Sequence, residues 1–137
     1  MILDTIGIIQ ERLNLELQKA LKDLELNIHC GHIWLLMIVY ENNGEIQIKE
    51  LVKRLEKKKT TISDMIATLE KNGYLTKSKS IEDKRVYIVS LTEKAKKDKE
   101  TFIMILNNIY RKIFNGISEE ELNIANETLK IISDNLK

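Results

Sequence analysis

Apolar residues recur every three or four positions along most of this 137-residue chain, and that spacing restricts it to a mainly helical fold. The stripe that opens the chain consists of Ile2, Ile6, Ile9, Leu13, Leu17, Ala20 and Leu24. Residues with this spacing lie on one face of a helix, so a long amphipathic helix is predicted at the N-terminus.

The middle of the chain predicts three more helices separated by Asn and Gly breakers. Ile33–Tyr40 is apolar on all sides and is typical of a buried helix, which Asn42-Asn43-Gly44 would end. A short helix is predicted at about Ile48–Glu56. Another begins near Lys59 and ends at Asn72-Gly73.

The rest of the sequence, from Tyr74 onward, predicts a hairpin and two further helices. Tyr74–Ser80 and Arg85–Leu91 are β-prone runs joined by Ile81-Glu82-Asp83-Lys84, in which three of the four residues are charged, and this is typical of a hairpin. Thr92 is placed to cap a long helix, and Ser118 with Glu121 forms a capping box that opens the last one. The apolar stripe of this last helix is expected to face the core through Leu122, Ala125, Leu129, Ile132 and Leu136.

Composition limits the class of protein. The chain is 43% hydrophobic and 31% charged, as expected of one globular domain. Its longest apolar run has eight residues, too few to cross a bilayer, so no membrane partner is expected. The N-terminus has no signal-peptide pattern and Cys30 has no second cysteine to pair with, which together predict a cytoplasmic location. We find no catalytic or phosphate-binding motif and predict neither enzymatic activity nor a cofactor.

Charge is distributed unevenly along the chain. Residues 49–85 hold eleven basic and six acidic side chains, a net charge of +5, whereas the other hundred residues carry −4. A basic middle flanked by acidic ends suits a polyanion that docks on one face, although a solvated lysine-rich surface would have the same composition. The basic window coincides with two helices joined by a short turn and followed by a hairpin. This order predicts a winged helix-turn-helix.

The residues of this window resemble the multiple-antibiotic-resistance regulator (MarR) family. The resemblance is carried by the segments Ile48–Leu55, Thr60–Ser63, Leu69–Leu75 and Glu82–Arg85, followed by Leu91-Thr92. It implies a DNA-binding lobe at about 33–92 and a dimerisation lobe built from terminal helices at about 1–28 and 93–137. The expected function is that of a homodimeric transcription regulator, a repressor of a pseudo-palindromic operator in double-stranded DNA that a small aromatic effector releases.

The recognition helix and the wing supply the predicted DNA contacts. The N-terminal residues of a recognition helix reach base edges, and lysines and hydroxyls beside it reach phosphates. These residues are Lys49, Lys59, Thr60, Thr61, Ser63, Asp64, Lys77, Lys79, Lys84 and Arg85. The resemblance assigns Arg85 to the minor groove and makes Asp83 a brace that orients the wing. Lys58 stands where the family usually has a capping residue, which predicts a helix that starts at Thr60 or a frayed first turn.

Several residues admit two interpretations. His32, Trp34, Met37 and Tyr40 either belong to the core or line the effector pocket that the resemblance implies. The segment His29-Cys30-Gly31-His32 has zinc-ligand residue types but needs carboxylates such as Glu25 or Glu41 to complete a site, so no metal is predicted.

Two further expectations concern partners. Ile8, Leu15, Ile124 and Ile131 lie off the main apolar stripes, and a second copy of the chain would cover them. The alternative function is a winged-helix protein-interaction module whose basic face docks an acidic protein.

Overall fold

A computed structural model of the protein describes residues 1–24, 26 and 28–137. Within these residues the chain forms six helices and three strands, in two compact units at Met1–Ile105 and Leu106–Lys137. The helices are α1 (Ile2–Asp23), α2 (Cys30–Glu41), α3 (Ile48–Leu55), α4 (Lys59–Lys71), α5 (Glu93–Ile113) and α6 (Glu119–Asn135). The strands are β1 (Glu45–Gln47), β2 (Leu75–Lys79) and β3 (Tyr87–Leu91). The fold is therefore mainly α with a winged helix-turn-helix, as predicted.

The sheet has one strand more than the predicted hairpin. Its order is β1-β3-β2, with both pairs antiparallel, and Ile46 of β1 lies opposite Val89 of β3. Both of these side chains are buried. A turn with positive φ at Asn43 and Gly44 delivers the chain to β1. Three residues are too short a run to show strand periodicity, so β1 escaped prediction.

Helix α2 forms the centre of the first unit. Ile33, Leu35, Leu36 and Val39 have no measurable exposure, which agrees with a helix that is apolar on all sides. Cys30, at the start of the helix, is also buried, and burial raises the pKa of its thiol.

The helix-turn-helix is built by α3 and α4. Leu51 of α3 and Ile62, Ile66 and Leu69 of α4 are buried, so the inner faces of both helices belong to the core. The turn between them begins at Glu56, whose φ of 50° places it in the left-handed region. Helix α4 then starts at Lys59, and the expectation of a start at Thr60 is therefore wrong.

Thr92 fixes the junction between the sheet and α5. Its hydroxyl accepts a hydrogen bond from the Ala95 N–H at 3.1 Å, which confirms the predicted cap, and donates to the Gly73 carbonyl at 2.5 Å. Further along α5, Phe102 packs edge-to-face against Tyr74 with ring centroids 5.5 Å apart. The wing is thus tied at its base to the end of α4 and the start of α5.

The second unit contains the end of α5 and all of α6. The Ser118 hydroxyl accepts from the Glu121 N–H at 3.1 Å and the Glu121 carboxylate accepts from the Ser118 N–H at 3.2 Å, which confirms the capping box. No residue of α6 is buried. The prediction that its stripe faces the core of its own chain is therefore wrong for Leu122, Ala125, Leu129, Ile132 and Leu136. Periodicity marks which face of a helix is apolar, but does not specify which molecule covers that face.

Candidate nucleic-acid interface

The start of α3, the start of α4 and the wing meet at one groove. It has a volume of about 380 Å³ and is lined by Ile48, Lys49, Val52, Lys59, Ser63, Lys77, Arg85, Val86 and Tyr87. Half of the ten predicted DNA-contacting residues therefore lie together. The groove has an apolar wall and four cationic side chains, an arrangement that attracts an anion.

The other predicted DNA contacts lie outside this groove. They are Thr60, Thr61, Asp64, Lys79 and Lys84, and all five are exposed, as are the five that line it. Thr60 and Thr61 belong to the first turn of α4, whereas Lys79 and Lys84 belong to the wing. Every predicted contact is thus accessible to a large ligand.

The N-terminus of α4 adds to the positive potential of this face. Lys58 occupies the cap position in an extended conformation, and no side chain there accepts a bond from the first turn. The first backbone bond within the helix runs from the Ile62 N–H to the Lys58 carbonyl at 3.1 Å. The preceding N–H groups point out of the helix end, where they and the helix dipole favour a phosphate.

The wing is organised by one carboxylate. Asp83 Oδ1 accepts from the Arg85 backbone N–H at 3.0 Å and from Arg85 Nε at 3.1 Å, while Oδ2 accepts from the second guanidinium nitrogen at 3.3 Å. These bonds, with the charge of Lys49, hold the pKa of the Asp83 carboxyl below its ordinary value. Arg85 nevertheless keeps 91% of its side-chain surface exposed. The guanidinium is therefore held in place without being covered.

Tyr87 belongs to this site and was missed from the sequence. Its ring is 4.7 Å from Lys77 Nζ and 5.8 Å from Lys79 Nζ, both within the range of a cation–π interaction. Lys79 is also its register partner on β2. Tyr87 and Val89 are two positions apart on β3 and share a face, so strand periodicity alone would assign Tyr87 to the core with the buried Val89. Tyr87 is exposed because it is the first residue of the strand, next to the turn of the wing.

His32 lines a second cavity, of about 480 Å³, with residues of α1, α4 and the segment before α2. It is only 3% exposed, and its Nδ1 accepts from the His29 backbone N–H at 3.0 Å. Burial and the neighbouring His29 lower the pKa of His32 to about 4. The imidazole is therefore neutral near pH 7 and serves as a hydrogen-bond acceptor.

The other three residues considered for an effector pocket are placed differently. Tyr40 is buried, its hydroxyl donates to the Ala95 carbonyl, and burial next to Asp98 raises its pKa. Its polar atom is thus used within the protein. Trp34 and Met37 are half-buried residues of α2.

Within the described part of the chain, no three His, Cys, Asp or Glu side chains come together as a metal site. Glu25, one of the carboxylates that such a site would need, lies outside the described residues. Among the helices described, none combines the length and apolar character required to span a membrane.

Comparison with known proteins agrees with this geometry. The sequence profile of the MarR family matches residues 31–87. The HTH-type transcriptional regulator SarZ of Staphylococcus aureus strain MRSA252 is 30% identical over 84% of this chain and 75% of its own length. The HTH-type transcriptional repressor IacR of Pseudomonas putida is 24% identical over 88% of this chain and 71% of its own length.

A solved structure shows the same arrangement of elements. A MarR family transcriptional regulator from Listeria monocytogenes, complexed with a 26mer DNA, superposes with a TM-score of 0.81. The two chains are 29% identical, and the match covers 98% of this chain and 87% of the other. The match extends well beyond the helix-turn-helix, and together with the likeness to SarZ it establishes that this chain belongs to the MarR family of transcriptional regulators.

Proposed function

We propose that this protein is a homodimeric regulator that binds a pseudo-palindromic operator in double-stranded DNA, represses transcription and is released by a small aromatic effector. The observation that carries the proposal is the groove in which Lys49, Lys59, Lys77 and Arg85 surround the exposed N-terminal part of α4. The membership of this chain in the MarR family of transcriptional regulators supports DNA as the anionic ligand that binds at this groove. An enzymatic role has no support among these features.

The docking follows from which end of α4 is exposed. Its first turns enter the major groove, where the Thr60, Thr61 and Ser63 hydroxyls contact phosphates or base edges. Asp64 accepts from a cytosine N4 amino group, because a carboxylate there would repel phosphate. Lys59 and the uncapped first turn of α4 bind a phosphate beside the groove.

The wing contributes a second set of contacts. Lys77, Lys79 and Lys84 bind phosphates, and Tyr87 restrains the first two of these lysines through its ring. Arg85 enters the minor groove, where narrow A·T tracts attract a guanidinium. Asp83 acts as the brace that keeps Arg85 oriented before DNA arrives.

The dimer uses helices of the segments at about 1–28 and 93–137, and the DNA-binding lobe uses about 33–92. Support comes from apolar side chains that one chain leaves uncovered. Ile8 and Leu15 of α1 are 46% and 61% exposed, and Ile124 and Ile131 of α6 are 59% and 61% exposed. A two-fold partner would cover these stripes and place two recognition helices on successive turns of one DNA face, about 34 Å apart.

The effector site is assigned to the cavity beside His32. Its volume of about 480 Å³ is adequate for a small ligand, and Gln18, Lys22 and Thr68 supply polar groups around it. Trp34 and Met37, on the same helix as His32, are half-buried and would respond to a ligand that moves α2.

Because its target is chromosomal DNA, we place the regulator in the cytoplasm.

Salt-dependent DNA binding tests the proposal. Affinity for a fluorescently labelled random duplex is measured at increasing KCl, and log K should fall linearly with log salt by about 0.9 per phosphate neutralised. Lys84→Ala should reduce the slope by about one unit for each subunit that contacts DNA. Lys130→Ala on α6 makes the same charge change away from the wing and should leave the slope unaltered.

The same titration addresses the alternative function. A winged-helix module that docks an acidic protein would show no duplex binding even at low salt, and this result would overturn the proposal. If binding is found, footprinting of the intergenic region beside the gene identifies the operator.

A further inference from the structure

The tip of the wing presents an apolar side chain to solvent. Ile81 is 98% exposed, more than any other large hydrophobic residue in the part of the chain that the structure describes. The next most exposed, Met1 and Leu136, lie at the chain ends at 81%. Ile81 instead follows β2 within the turn that connects it to β3.

The tip that carries Ile81 is an ordered turn. The Ser80 N–H donates to the Val86 carbonyl at 2.8 Å, and the Val86 N–H donates to the Asp83 carbonyl at 3.0 Å. Asp83 then binds the Arg85 backbone and guanidinium. Hydrogen bonds on both sides of Ile81 fix the backbone that bears it, while no neighbour shields its side chain. The residue is thus held ready for contact with another molecule.

The charges around Ile81 indicate what that molecule is. The tip and its flanks carry three basic residues, Lys79, Lys84 and Arg85, against Glu82 and Asp83, and Asp83 is paired with Arg85. The partner is therefore polyanionic at its edges and accepts an apolar group between them. The minor groove of DNA matches this description, since two phosphate strands flank a floor of base edges and sugars.

We propose that Ile81 is a specificity-determining residue, through which the wing selects A·T over G·C base pairs in the minor groove. The inference rests on the proposed function, which places α4 in the major groove and Arg85 of the wing in the minor groove. The minor-groove floor differs between the two pairs chiefly by the guanine N2 amino group. An isoleucine over that amino group would shut it off from water without accepting its hydrogen bond, and a buried donor without a partner is costly.

Inosine provides the test of this mechanism. An inosine·cytosine pair lacks the N2 amino group, yet presents the same major-groove edge as G·C to α4. A duplex is first selected with the wild-type protein from a random library. Each A·T pair in its footprint is then replaced in turn by G·C and by inosine·cytosine, and affinities are measured by fluorescence anisotropy.

The proposal predicts a pattern confined to the positions beneath the wing. There, G·C should weaken wild-type binding about tenfold or more for each half-site, and inosine·cytosine should restore it. Ile81→Ser, which supplies a hydroxyl acceptor, should bind the A·T duplex more weakly than the wild type does. Its affinities for the G·C and inosine·cytosine duplexes should differ by less than about twofold. Ile81→Val should retain the discrimination, and thermal unfolding should be unchanged because residue 81 is 98% exposed.

Lys84→Ala is the matched control, because it alters a neighbouring exposed residue of the same turn. It should reduce the salt dependence without changing the discrimination between G·C and inosine·cytosine. Equal discrimination by wild type and Ile81→Ser would overturn the role of Ile81 while leaving DNA binding intact. A wild-type protein that binds no duplex would overturn both the role of Ile81 and the proposed function, and the salt titration identifies that case.

Discussion

The neutral state of His32 makes the stability of this protein depend on pH. His32 is 3% exposed, its Nδ1 accepts a hydrogen bond from the His29 backbone N–H, and its pKa is lowered to about 4. Protonation would remove that acceptor and place a charge inside the protein. The unfolded chain has no such restriction, so its histidine titrates near the ordinary value of about 6.5.

The sign and size of the effect follow from linkage. Between pH 6.5 and 4 the unfolded chain binds a proton that the folded chain does not, so the free energy of unfolding falls as the pH is lowered through this range. The stabilisation is fully present above about pH 6.5. Linkage alone gives a loss of about 2 kcal/mol between pH 7 and 5. We expect about 1–2 kcal/mol, because His32 lines a cavity in which water would screen part of the charge.

Urea unfolding at pH 7 and pH 5 measures this loss. Wild type and His32→Gln are compared at one protomer concentration, because unfolding of a dimer depends on concentration. Glutamine can accept the same hydrogen bond and does not titrate, so carboxylate contributions common to both proteins cancel. Wild type should lose about 1–2 kcal/mol more than His32→Gln. Identical pH dependence in the two proteins would refute a buried neutral His32.

Three further predictions concern the wing and the dimer. Asp83→Ala should weaken operator binding several-fold because Arg85 loses its brace, whereas the loss of a negative charge alone would strengthen binding. Asp83→Asn makes the same charge change but retains an acceptor, so its operator affinity should lie between those of Asp83→Ala and the wild type. Arg85→Ala should reduce affinity by about 5- to 150-fold for each half-site with little change in melting temperature, because its side chain is exposed; an unaltered affinity would exclude a minor-groove role. Ile131→Glu on α6 should yield a folded monomer by light scattering with weakened operator binding, while a wild-type protein that is already a stable monomer at micromolar concentration would contradict the dimer.

The helices could be predicted because their signals are local. Asn72-Gly73 ends α4 as expected, and the side chain of Ser118 caps α6. Strand β1 could not be predicted, since its three residues are defined by pairing with β3 more than forty positions away. The exposure of α6 could not be predicted either, because a stripe of apolar residues gives no information on whether the same chain or a second copy covers it.

The candidate site was predictable to a similar depth. The basic window indicated which residues would be exposed, and the groove brings Lys49 of α3 together with Lys77 and Arg85 of the wing. The pairing of side chains within the site was harder to predict from the sequence. The sequence assigns separate roles to Arg85, in the minor groove, and to Asp83, as a brace, whereas the structure pairs the two side chains directly. Tyr40 likewise finds its hydrogen-bond partner 55 positions away, at Ala95.

The missing cap of α4 sets a limit on how stable this protein can become without losing function. A serine or aspartate in place of Lys58 would satisfy the first turn and typically adds about 1 kcal/mol to helix stability. The same side chain would occupy the N–H groups that a phosphate needs, and aspartate would also repel it. Selection for DNA binding and selection for thermostability therefore act in opposite directions at this position. A search for more heat-resistant variants should find position 58 among the substitutions that raise melting temperature while reducing repression.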